Sequence, residues 1–162
     1  MNNTTKIKFF VELIKPSHYD DDGYVIQWRK SWIPSNTLAC INALTQDAAD
    51  RNALGDDVEF VINAYDEMNI VIPVADIIRR FKNEGKHGII FFVGVQSNQF
   101  PRAMDIVKQF RDEDIQVAIG GFHVSGSISM LPELPDELKN ATESGIALFA
   151  GEAEEERLVE VF

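Results

Sequence analysis

The stretch Gly88-Ile89-Ile90-Phe91-Phe92-Val93-Gly94-Val95 is apolar throughout, with no alternation of polar and apolar positions. A strand with one wet face alternates. A strand covered on both faces, as in the middle of a parallel sheet, does not. The neighbouring segments fit that reading. Upstream, Asp76–Lys82 is amphipathic, with Val74, Ile77, Ile78 and Phe81 on one side, and it ends at Glu84-Gly85. Downstream, Pro101–Arg111 carries Ala103, Ile106, Val107 and Phe110 at helical spacing.

Further out, strand-like and helix-like segments keep alternating. Lys6–Ile14, Val58–Ala64, Ile115–Ile119 and Ile146–Ala150 read as the other four strands. Ser35–Arg51 reads as a helix capped by Ser35 or Asn36, Asp136–Ser144 as a short helix, and Ala153–Phe162 as a last one. Parallel strands need crossover connections, and right-handed crossovers cover both faces of the sheet. The pattern predicts an α/β, flavodoxin-like (Rossmann-like) doubly wound domain with a five-stranded parallel sheet in the order 2-1-3-4-5, spanning residues 1–162. Ligands in such sheets sit beyond the carboxyl ends of the strands. Attention therefore falls on Lys15–Pro34, Gln96–Gln99, Gly120–Ser127 and Gly151-Glu152.

Composition narrows the functions. The chain has 162 residues, 45% hydrophobic and 25% charged, which suits one globular domain. Its net charge of −11 argues against nucleic acid and anionic membranes as partners. No run approaches the roughly 18 apolar residues of a membrane helix, and Met1–Lys8 lacks the apolar stretch of a secretory signal. A cytoplasmic location is expected. The single cysteine, Cys40, has no partner in the chain; its place in a helix predicts a buried, inert thiol.

Several occupants of this fold are excluded by chemistry. There is no GxxxxGK[ST] and no GxGxxG for phosphate, and the first loop is too long and acidic for a flavodoxin-type phosphate wrap. A phosphoacceptor site needs an Asp after the third strand and a Lys after the fifth, where Val95-Gln96 and Gly151-Glu152 stand. Asp20, Asp21 and Asp22 then read as a solvated loop. His18, His87 and His123 are scattered, without HExxH or CxxC spacing, so no metal ligands are assigned. His87 precedes the third strand, at the wrong end of the sheet, and is expected at the surface.

What remains is polar and glycine-rich. Gly94-Val95-Gln96-Ser97-Asn98-Gln99 follows the third strand, and Gly120-Gly121-Phe122-His123-Val124-Ser125-Gly126 follows the fourth. Ser97 and Asn98 suit helix capping. The paired glycines suit either a tight turn or a flat ligand lying close to the backbone.

These segments resemble the cobalamin-binding N-terminal domain of cobalamin-dependent radical S-adenosylmethionine proteins. Gly120–Gly126 looks like that family's Gly-Gly-x-His-x-Ser/Thr segment. Gly151-Glu152-Ala153-Glu154 is similar to its Gly-Glu-Gly-Glu, with Ala153 in place of the third glycine, and Gly94–Ala103 occupies the place of its Ser-containing loop. The resemblance covers roughly Lys6 to Phe162. It implies a corrinoid above the sheet, with its nucleotide tail beside Gly120 and Gly121. Phe122, His123, Ser125 and Gly126 would lie about the tail, and Ser97 would face the lower side of the ring. It also implies a base-off cofactor presented to a radical S-adenosylmethionine barrel, in cis or in trans, for methyl transfer or related radical chemistry. Cys-x-x-x-Cys-x-x-Cys, which would hold that barrel's iron–sulfur cluster, is not in this sequence, so the chain alone is not expected to be catalytic. The alternative is a flavodoxin-like regulatory or protein-interaction domain without a corrinoid. The Asp-x-His-x-x-Gly of cobalt-ligating corrinoid proteins is absent, and Ser97-Asn98-Gln99 stands for their Ser-x-Leu. No protein imidazole is therefore expected on the cobalt.

Overall fold

The computed structural model describes residues 6–29, 33–154 and 157–162. Five strands form one all-parallel sheet: β1 (Ile7–Lys15), β2 (Val58–Asp66), β3 (Gly88–Phe92), β4 (Val117–Gly120) and β5 (Ile146–Phe149). Their order is β2-β1-β3-β4-β5, the doubly wound, flavodoxin-like arrangement. β3 is buried at all five positions, as its unbroken apolar run requires. Helices α1 (Asn36–Asp50), α2 (Val74–Asn83), α3 (Phe100–Arg111), α4 (Phe122–Met130) and α5 (Asp136–Glu143) supply the crossovers.

Alternate residues of each strand feed two separate cores. Phe10, Ile14, Ile90 and Phe92 pack with Ile77 and Phe81 of α2 and with Ile106 and Phe110 of α3; Leu138 of α5 closes the same core. Val11, Leu13, Phe91 and Val93 pack on the other face against Ile41 of α1 and against Ala153 and Leu158 near the C-terminus. The Ser35 side chain caps α1 by accepting from the Leu38 amide at 3.2 Å.

Two expectations are corrected. The segment after β4, expected as a loop, is helix α4. Ala153–Phe162, expected as a helix, makes turns and a short 3-10 segment, Val159–Val161, among its described residues. Ala153 and Leu158 still reach the sheet, so this segment covers its face as a folded-back strap.

The long connection after β1 is anchored to the β2 and α3 side. Glu67, fully buried, accepts from the Ser17 amide at 3.0 Å and pairs with the Arg102 guanidinium. Arg102 lies over the Tyr19 ring, and Tyr19 donates to Asp105. Gln27 donates to the carbonyls of Glu67 and Ile70. Residues 30–32 of this connection lie outside the described residues.

Candidate functional site

The loops after β3, β4 and β5 are joined by hydrogen bonds from strand end to strand end. The Val95 amide donates to the Gly120 carbonyl, and the His123 amide donates back to the Val95 carbonyl, each at 3.0 Å. The Ser125 hydroxyl accepts from the Gly151 amide at 3.0 Å, which ties α4 to the loop after β5. Gly121 sits at the crossing with φ +140°, and a Cβ there would strike the Val95 backbone nitrogen. The approach of these two backbones thus accounts for Gly121 by itself.

Below these loops, on the α1 face of the sheet, lies a cleft of about 500 Å³. Its inner wall is Phe91, Val93, Gly120 and Phe149, and its outer wall is Asn36, Thr37, Cys40 and Ile41 of α1. Gly94, Gln96, Gly121, Phe122 and Ser125 form the upper rim, with Gly151, Glu152, Ala153 and Glu154 at the side. The size and the mix of an apolar floor with a few polar groups at the mouth are those of a small-molecule site. Among the described residues Glu152 and Glu154 are its charged lining residues, and no described lysine or arginine lines it. A polyphosphate would meet carboxylates here without a compensating cation. Arg157 instead donates to the carbonyls of Ala150 and Glu152 and lies over the Phe149 ring.

Not every expected site residue reaches this cleft. Val95 is fully buried, and Gln99 is a brace: its side chain accepts from the Gln96 amide and donates to the Pro16 carbonyl at 2.8 Å. Asn98 is exposed on the turn before α3 and does not line the cleft. Ser97, His123 and Gly126 open onto a second, shallower groove of about 200 Å³, with Ser127, Met130 and Leu131. Phe122, largely exposed, stands between cleft and groove and lines both.

The His123 ring is buried and packs at a tilt against Phe100, with ring centroids 4.5 Å apart. Its Nδ1 is 3.2 Å from the Ser97 hydroxyl, and its Nε2 is 3.0 Å from a Glu137 carboxylate oxygen. His87 is exposed, as expected. Among the described residues no three His, Cys, Asp or Glu side chains gather as a metal would require.

Cys40 corrects another expectation: it is exposed, lines the cleft, and its Sγ is 3.9 Å from Glu154. The α1 wall was missed as a whole, although one signal was available. In the order 2-1-3-4-5 the first helix and the segment after the fifth strand share a face of the sheet, so their facing residues bound whatever space opens there. No family model matches this chain, and neither a curated protein nor a solved structure matches it. No helix among the described residues is long and apolar enough to cross a membrane.

Proposed function

We propose that the chain is a cobalamin-binding module that presents a base-off corrinoid to a radical S-adenosylmethionine catalytic domain. The observation that carries the reading is the cleft of about 500 Å³ beside Gly120 and Gly121, open at the carboxyl ends of three parallel strands. Its dimensions and apolar floor suit a flat base, with Phe91 and Phe149 at the back of that floor, and Thr37 and Ser125 at the mouth suit a sugar. A nucleotide tail with a single phosphodiester charge tolerates the carboxylates of Glu152 and Glu154 better than a polyphosphate does. Gly94, Gln96, Gly121 and Phe122 border the tail, and the turn of Ser97 and Asn98 lies under the ring. When bound, the corrinoid supplies methyl transfer or related radical chemistry. The protein's share is to hold the tail, orient the ring and keep water from its lower face.

The test is direct. The protein is mixed with hydroxocobalamin under reducing conditions and desalted, and near-stoichiometric pigment should co-elute. Cys40→Trp, which fills the cleft mouth from an exposed position on α1, should cut retention by at least about tenfold while leaving the fold intact, as a cost of ~1.4 kcal/mol or more would. Bound corrinoid should also shield the Cys40 thiol from iodoacetamide. No retained pigment would favour a regulatory or interaction domain without a corrinoid, and equal retention by Cys40→Trp would overturn the placing of the tail in this cleft.

A further inference from the structure

We propose that Ser97, His123 and Glu137 form a second site, an acyl-transfer centre for short apolar esters, in the groove across Phe122 from the cleft. Three separate elements converge there: the turn before α3 brings Ser97, the start of α4 brings His123, and the first turn of α5 brings Glu137. Ser97 is exposed, so in the protein without corrinoid its hydroxyl is open to a substrate. The His123 Nδ1 lies 3.2 Å from that hydroxyl, within reach for proton transfer. Its Nε2 lies 3.0 Å from the Glu137 carboxylate, close but off the line of a formed hydrogen bond. Glu137 is half exposed and has room to rotate into line. Packing of the ring against Phe100 and the bond from the His123 backbone amide to the Val95 carbonyl hold the residue in place. A serine, its base and the group that orients the base are the parts of an activated nucleophile, whatever their order in the chain.

The surroundings define the substrate. Phe122, Met130 and Leu131 are exposed apolar side chains lining the groove, and among the described residues no acid, lysine or arginine lines it. About 200 Å³ admits an acyl chain of a few carbons. The amide after the nucleophile, Asn98 N–H, has no acceptor among the described residues and is available to an oxyanion. Ser97 Oγ bonds to the ester carbonyl carbon while its proton passes to His123 Nδ1. The tetrahedral adduct then expels the alkoxide, which takes that proton, leaving an acyl-serine. Water adds to the acyl carbon by the same route, releasing the acid and restoring Ser97.

The experiment uses the protein without corrinoid, so its outcome is separate from cofactor binding. A fluorophosphonate probe should place one phosphonyl adduct on the peptide carrying Ser97, and p-nitrophenyl butyrate should be hydrolysed. Ser97→Ala, an exposed substitution, should lose the adduct and at least about 10²-fold in rate. Glu137→Gln should lower kcat roughly tenfold with KM within about twofold, the pattern of a positioning residue. Folded protein that takes no adduct, an adduct on another residue, or a Ser97→Ala variant with the parent's rate would each overturn the proposal. Should Ser97→Ala not fold, the adduct's position on the parent decides.

Discussion

Glu12 is a carboxylate in the middle of β1, fully buried on the α2 side. Arg80 reaches it at 2.8 Å and Asn63 at 3.1 Å, both at Oε1, and Oε2 has no partner among the described residues. Burial pushes its pKa above the usual 4.5, against the pull of the Arg80 charge and the hydrogen bonds from Arg80 and Asn63. The sign for stability follows. The folded chain holds the Glu12 proton more tightly than the unfolded chain. Its contribution is therefore fully present below pH 4.5 and is lost as pH rises through the folded value. Glu12→Gln keeps a polar side chain and removes that titration. Its unfolding free energy minus the parent's should increase from pH 4.5 upward and then level off, in urea titrations at matched salt. A difference that shrinks with rising pH would mean that Arg80 outweighs the burial. Nothing in the sequence marks this site beyond a lone carboxylate in Lys6–Ile14, because the arginine that meets it lies 68 residues away.

At the scale of elements, α4 is the instructive case. Its sequence, FHVSGSISM, holds three serines, a glycine and two β-branched residues, so neither propensity nor an apolar stripe announces a helix. It forms because His123 and Val124 pack inward and because the neighbouring strand ends supply backbone partners at its start. Gly126 is the weak point. A Cβ there would meet only the Phe122 ring, at 3.8 Å, an ordinary contact. Gly126→Ala should therefore stabilise the protein by about 0.5–1 kcal/mol, read from the urea midpoint. A loss would show that α4 must stay deformable. The other four helices were legible because each carries either an apolar stripe or a punctuating Pro or Gly, and the five strands because of their apolar runs. The last segment misled in the opposite direction. Leu158, Val161 and Phe162 look like one helical face, yet they pack on the sheet from turns and a 3-10 segment, with Phe162 edge-on to Phe9 and Phe60. Apolar spacing over so few residues marks burial, not conformation. Cys40 departs from its expected burial for a related reason: Ile41 packs into the core at the edge of the cleft, and Cys40 beside it on the helix is exposed at the cleft wall.

For the whole molecule, the placement of cleft and loops decides how a corrinoid would be held. The cleft reaches back along β3 as far as Phe91, between α1 and the strap after β5, while a ring would lie above the strand ends. A base seated between those walls is removed from a metal above the sheet, so the tail cannot fill the cleft and ligate the cobalt at once. Nor is His123 free to replace it, since its two ring nitrogens face Ser97 and Glu137. His18 belongs to the connection that Glu67, Arg102 and Gln27 anchor on the β2 and α3 side. The resulting expectation is that hydroxocobalamin bound by this protein, once reduced to cobalt(II), shows the base-off absorption spectrum and an electron paramagnetic signal without axial nitrogen splitting. The free cofactor at neutral pH supplies the base-on reference. Nitrogen splitting that persists in the complex and vanishes in His18→Ala would show that the first connection swings across the strand ends to ligate the metal. Splitting that survives His18→Ala and His123→Ala would show that the cofactor's own base stays on cobalt, leaving the cleft for some other occupant.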